Sequence, residues 1–155
     1  MLKNQVRWLW LALLVLSLDM MTKRLASAYL IPFVAHKIFP FLNMVLVHNH
    51  GAAFGLLHQD SGWQVWALAF VAMIVVIGLL IWLSRVPATS TRLAIAISLI
   101  IGGALGNLFD RLAFGYVVDF IDFHIKTYHW PAFNIADSAI CIGVVLMMWS
   151  FLKGK

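Results

Sequence analysis

The sequence predicts an all-α membrane protein: four transmembrane helices with a small extracytoplasmic β-containing platform, in a single domain over residues 1–155. Three observations predict it. The 155 residues are 63% hydrophobic and 11% charged, with mean hydropathy +0.94, whereas a soluble domain is about half apolar and a quarter charged. Four apolar runs have the length a bilayer requires. Between the first and second runs, prolines and glycines interrupt the pattern and leave room for a surface structure.

Charge narrows the partners. The formal charge of +5 and pI near 9.7 come from basic residues scattered at the ends of apolar runs. They form no patch or tract, so they read as topology signals and argue against a nucleic-acid partner. The single cysteine, Cys141, excludes an intramolecular disulfide and a multi-cysteine metal site. All six acidic residues are aspartates, and four of them lie between Asn107 and Asp137.

Lys3 and Arg7 precede the apolar run Trp8 to Leu18, and Ala26-Ser27-Ala28 follows. That is the outline of a cleavable signal peptide. Asp19, Lys23 and Arg24 crowd the cleavage region, however, and residues 8–28 are expected to remain as a first span with a polar outer end. Asp19 and Lys23 are four apart, so on a helix they share a face and form a structural ion pair. Residues 30–62 contain Pro32, Pro40, Gly51, Gly55 and Gly62 and hold no run long enough to span. Phe41 to Val47 favours a strand, and Asn49-His50-Gly51 favours a turn. Phe33, Phe39, Phe41, Leu42, Phe54, Leu56 and Leu57 keep the segment greasy, which suits a platform at the membrane interface.

Val65 to Leu83 carries no charge and is the second span, closed by Arg85. The third, residues 93–112, contains Gly102-x-x-x-Gly106, a spacing that lets helices approach closely. Residues 113–133 make a second polar and aromatic connection, and residues 135–152 form the fourth span. Lys3, Arg7, Arg85, Arg92, Lys153 and Lys155 share one side with no acid among them. Lys23, Arg24, Lys37, Arg111 and Lys126 lie on the other with every aspartate. The first side is therefore expected to be cytoplasmic, with both termini. Trp8, Trp10, Trp63, Trp66, Trp82, Trp130 and Trp149 all fall near span ends, as an interfacial belt requires.

Carboxylates at or inside a bilayer are costly and usually functional. Asn107, Asp110 and Arg111 sit at i, i+3 and i+4 on one helix face, and the Arg111 guanidinium offers a fork of donors for a carbonyl or carboxylate. Asn134 and Asp137 have the spacing of a helix start, where Asn134 caps and Asp137 accepts a backbone N–H. A structural role for Asp137 is thus one alternative. The other is chemical: the helix N-terminus stabilises its anion, while Asp119, among Val117, Val118, Phe120 and Ile121, is expected to hold a proton. Two close carboxylates sharing one proton supply a base to activate water and an acid for the leaving group. If Val117 to Phe123 is extended, Asp119 and Asp122 point to opposite sides, and the residues alone do not choose which joins Asp137.

Other chemistries fit less well. Six outer histidines, with His48-Asn49-His50 among them, raise zinc, yet without Glu there is no His-Glu-x-x-His. Ser138 and Cys141 have no histidine on their helix to activate them.

The motifs Asp19-x-x-Thr-Lys23, Asn49-x-Gly51-Ala-Ala-Phe54, Gly106-Asn107-Leu-Phe-Asp110-Arg111, Gly115-x-Val-Val-Asp119-Phe and Phe133-Asn134-Ile-Ala-Asp137-Ser138 resemble those of lipoprotein signal peptidase (signal peptidase II). They occur in order across nearly the whole chain. The resemblance implies an intramembrane aspartyl endopeptidase of the bacterial inner membrane. Such an enzyme removes signal peptides from prolipoproteins by cutting before the diacylglyceryl-modified cysteine. It implies Asp119 and Asp137 as the catalytic pair, and Asn49, Asn107, Arg111 and Asn134 around the substrate. Asp19, Lys23, Gly51 and Asp110 would then support the site. The resemblance also implies no metal or cofactor, contact with membrane lipids, and globomycin-type cyclic peptide inhibitors in the same site. The alternative from another class is a small proton-coupled transporter or its subunit, with Asp119 and Asp137 as relay residues. Transporters usually show internal repeats and midplane charges, whereas here every acid lies near one surface and no repeat is visible.

Overall fold

The computed structural model describes residues 5–51 and 62–153. Lys3, Lys155 and residues 52–61 of the expected platform lie outside the described residues. A short 3-10 turn, Val6–Trp8, leads into helix α1 (Leu9–Tyr29). Strands β1 (His36–Phe39) and β2 (Leu42–Asn49) follow, then α2 (Trp63–Arg85) and α3 (Thr91–Phe114). The chain closes with strands β3 (Val117–Ile125) and β4 (Tyr128–His129) and helix α4 (Ile135–Leu152). The four helices agree with the four expected runs to within two residues at each end.

Three of these helices, α2, α3 and α4, are long and apolar enough to cross a membrane. Helix α1 has the length, but every eighteen-residue window in it contains Asp19, Lys23 and Arg24. The apolar stretch of α3 is 72% buried against 22% for α2 and for α4, so α3 is the central helix. It packs on α1, α2 and α4. In hydrocarbon, helix association relies on close packing and not on expelling water, which favours small residues at the contacts. The α3 glycines fit that requirement. A Cβ on Gly102 would lie 2.7 Å from the Ala12 carbonyl oxygen of α1, and one on Gly103 would meet the Ala136 carbonyl of α4. The expectation that this motif serves packing agrees with these contacts.

The sheet is larger than the platform expected from residues 30–62. Its order is β1-β2-β3-β4, antiparallel throughout, and β3 and β4 come from the connection after α3. The extended conformation weighed for Val117 to Phe123 is present in β3: Val117, Val118 and Phe120 are enclosed, with α1 and α3 packed against the strand. Gly115, at φ +77°, ends α3 in the left-handed conformation and turns the chain into β3 within two residues. Phe133 pairs with Ile121 through its own N–H and carbonyl. This fastens the start of α4 beside the middle of β3.

Candidate active site

Register and capping bring the two carboxylates into one neighbourhood. Val47 pairs with Asp119, and Asn49 pairs with Val117, so β2 delivers the Asn49 side chain to Asp119. Asn49 Nδ2 donates to Asp119 Oδ2 at 3.0 Å. From the start of α4, Asn134 Nδ2 donates to Asp119 Oδ1 at 2.7 Å. Asp137 is held by the expected capping box, with Asn134 as N-cap. Its other oxygen, Oδ1, accepts from Asn107 Nδ2 at 2.7 Å. Asn134 Nδ2 also lies 3.2 Å from Asn107 Oδ1. The two asparagines thus connect Asp119 to Asp137 through amides.

Both carboxylates line a cavity of about 650 Å³. Its back is α3 (Ala104, Asn107, Arg111), one flank is α2 (Leu68, Ala72), and the other is α4 (Ile140, Cys141, Ile142). Trp130 to Phe133 form a further wall, of which the sequence offers Trp130 only as an interfacial residue and Phe133 only as the start of the Asn134 motif. Asn49 lines it as well. Arg111 is held by its own helix, Nη1 to the Asn107 carbonyl at 3.3 Å, and reaches the Gly51 carbonyl with Nη2 at 3.5 Å. Gly51 in turn donates its N–H to Asn49 Oδ1 at 2.9 Å, closing the expected turn. The cavity therefore presents two acids, two amides and one guanidinium within otherwise apolar walls.

Asp119 is only 2% exposed. Burial, then the charge of Asp137, push its carboxyl up to about 7, against the lowering effect of the Asn49 and Asn134 donors. Asp122 is in a different place. It takes Asn43 Nδ2 at 2.8 Å and His129 Nδ1 at 2.8 Å and does not line the cavity. Burial raises its pKa, but these hydrogen bonds and the neighbouring histidines outweigh burial and bring it below the ordinary carboxylate range.

Asn134 and Asp110 do not line this cavity. Asn134, expected around the substrate, is enclosed at 0% exposure, with its side-chain Oδ1 capping α4 and its Nδ2 bridging Asp119 and Asn107. Asp110 shares a helix face with Asn107 and Arg111 but turns away from their cavity. Its Oδ2 accepts from the Val118 N–H at 3.1 Å and pairs with Lys23 Nζ at 2.9 Å. Lys23 also meets Asp19 at 2.7 Å, as expected, and Asn107 Oδ1 at 3.0 Å. Asp19 Oδ1 then accepts from the Ala136 N–H at 2.8 Å, in the first turn of α4. One buried ammonium therefore ties α1, α3, β3 and α4 together just behind the site.

The histidines go elsewhere. His48 stacks on Tyr116, His50 bonds the Gly115 carbonyl, and His124 stacks on His129. Among the described residues no group of three His, Cys, Asp or Glu side chains is placed to hold a metal ion.

This arrangement can be set beside known proteins. The signal peptidase (SPase) II family profile matches residues 11–153. The chain belongs to the signal peptidase II family. A lipoprotein signal peptidase from Teredinibacter turnerae is 49% identical over 149 residues, covering 96% of this chain and 89% of that protein. One from Coxiella burnetii is 50% identical over 141 residues, covering 91% and 86%. One from Vibrio cholerae is 46% identical over 155 residues, covering 99% and 91%. Among solved structures, a bacterial membrane enzyme determined by the in meso method at 2.3 Å matches with TM-score 0.85 and 34% identity, covering 95% of this chain and 88% of the other. Membership of the signal peptidase II family makes this chain a membrane-embedded peptidase, and its cavity with two aspartates is the candidate active site.

Proposed function

We propose that the protein is an intramembrane aspartyl endopeptidase that removes the signal peptide from diacylglyceryl-modified prolipoproteins, cutting before the lipidated cysteine. Asp119 and Asp137 are the catalytic pair. The observation that carries this reading is the shared cavity: carboxylates from β3 and α4 open on it together, linked through Asn107 and Asn134. The relatives' activity on lipoproteins supports the substrate.

One proton between the two acids is sufficient for the chemistry. Asp119, lifted to about 7 by burial and by Asp137, holds it near neutral pH. The Asp137 carboxylate, fixed by the cap and by Asn107, takes a proton from water as its oxygen attacks the scissile carbonyl. Asp119 gives its proton to the carbonyl oxygen, and the tetrahedral adduct collapses with a proton passing to the leaving amine. Arg111 and Asn49 donate to the peptide carbonyls of the bound substrate. Asn134, enclosed behind Asp119, acts as a positioning residue and not as a substrate contact. The domain is single, and globomycin-type peptides would occupy the same cavity.

Topology follows from where the charges face. All four helices cross the bacterial inner membrane with both termini cytoplasmic and the sheet at the outer interface. Asp19 and Lys23 do not prevent α1 from spanning, because both are buried against α3 and α4. Leu13, Leu14, Leu18, Met21 and Leu25 face outward and are apolar, and the exposed Arg24 lies near the outer end of the helix. The cavity lies between α2 and α4, so a substrate anchored by acyl chains can enter sideways from the bilayer.

Purified protein in detergent, with no gradient present, should cut a diacylglyceryl-modified precursor and leave the unmodified one intact. Equal rates on both would remove the lipid from recognition. Absence of cleavage by folded protein would contradict the peptidase reading of this cavity.

A further inference from the structure

A second cavity, of about 380 Å³, shares no lining residue with the first. Its walls come from the outer end of α1, the last turns of α3 and the first residues of β3. The charges on it are unequally used. Lys23 is occupied by Asp19, Asp110 and Asn107, and Asp110 by Lys23 and the Val118 N–H. Arg24 is different: it is exposed and pairs with no acid among the described residues. Ser27 and Ala28 follow it at i+3 and i+4, on the same face of α1 and also on this wall. The remaining lining is apolar, with Met20, Phe109 and Phe114 prominent. Phe114 is about half exposed.

An unpaired guanidinium at the mouth of a greasy groove between two spans matches an amphiphile with an anionic head. A guanidinium recognises phosphate through paired donors, and basic pockets between membrane helices take lipid headgroups. We propose that this cavity binds one anionic phospholipid, its phosphate on Arg24 and Ser27 and an acyl chain along Met20, Phe109 and Phe114. The proposal rests on α1 and α3 being spans, and it does not depend on the aspartates being catalytic. A lipid here would pack against the outer side of Lys23, whose ammonium holds Asn107. The occupant would therefore seal the groove behind the site without entering it.

The test is native mass spectrometry of the full chain released from detergent micelles containing phosphatidylglycerol or a phosphate-free diacylglycerol of matched chain length. The wild type should retain one phosphatidylglycerol, with diacylglycerol retained roughly tenfold less, the size expected for one hydrogen-bonded charge. Arg24→Gln should lower phosphatidylglycerol retention to the diacylglycerol level. Arg92→Gln, at the other end of α3, should leave it unchanged. Ala28→Phe, which fills the cavity while keeping Arg24, should also abolish retention. Wild-type retention by Arg24→Gln or by Ala28→Phe would overturn the proposal. So would equal loss in Arg92→Gln, full displacement by glycerol phosphate without acyl chains, or a retained peptide in place of a lipid.

Discussion

Asn134 and Asp137 cap one another. Asn134 Oδ1 accepts the Asp137 N–H at 2.9 Å, and Asp137 Oδ2 accepts the Asn134 N–H at 3.3 Å. The same asparagine donates to Asp119, so the device that starts α4 also sets the distance between the two acids. The structural and chemical roles that the sequence offered for Asp137 as alternatives are compatible, because each uses a different oxygen.

Substituting Asn134 separates those roles. Serine caps a helix about as well as asparagine, but it has no amide to reach Asp119. Asn134→Ser should keep the cap but leave the buried acceptors on Asp119, Asn107 and Val118 without the amide, costing about 1–3 kcal/mol of stability and lowering turnover roughly ten- to a hundredfold. Asn134→Ala should lose turnover too and about 1 kcal/mol of stability beyond the serine variant. Melting in detergent and single-turnover cleavage measure the two. Full activity in Asn134→Ser would show that the amide bridge does not matter.

Asn49 predicts a pH effect. Its donation to Asp119 favours the charged form, so Asn49→Ala should raise the Asp119 pKa further. The proposed mechanism keeps the shared proton on Asp119, and on that reading the alkaline limb of the pH–rate profile should move to higher pH. A downward shift of that limb would assign the proton to the wrong carboxyl. The limbs belong to the coupled pair, so the comparison is of variant against wild type.

The charged node behind the site predicts stability effects. Lys23→Met leaves Asp19 and Asp110 buried without their cation and should cost about 3–5 kcal/mol. Gly106→Ala drives a methyl into the Asp19 carboxylate, with Ala136 close behind, and should cost about 1–3 kcal/mol. Thermal unfolding in detergent checks both. A wild-type melting point in Lys23→Met would mean that the ammonium does not tie the helices.

Much of this was legible in the residues. The apolar runs gave α2, α3 and α4 because nineteen uncharged residues or a regular apolar stretch admit few alternatives. Asn134 and Asp137 gave the start of α4 by their spacing alone. Local signals could not show that Asp110 would leave the Asn107 face for Lys23, since that contact joins residues 87 apart in sequence. Nor could they choose between Asp119 and Asp122, whose separation depends on strand register against Asn43 and Val47. The cavity wall at Trp130 to Phe133 exists only because Phe133 is pinned to Ile121.

Asp119 also predicts how stability depends on pH. Its folded pKa, about 7, lies above the ordinary 3.8, so between these values the folded protein binds more protons than the unfolded chain. Its contribution is fully present below about pH 4 and is lost as pH rises through about 7. The melting temperature of Asp119→Asn relative to wild type should therefore rise from pH 4 to pH 8. A flat difference across that window would mean the carboxyl titrates normally.

The central claim is the pairing of Asp119 with Asp137, and cleavage of a diacylglyceryl-modified precursor by three single variants tests it most directly. Asp119→Asn and Asp137→Asn should each reduce turnover to background, with near-native melting showing that the fold survives. Asp122→Asn, held away from the cavity by Asn43 and His129, should keep substantial activity. Activity in Asp119→Asn together with loss in Asp122→Asn would contradict the pairing and place the reacting carboxyl on the other side of the strand.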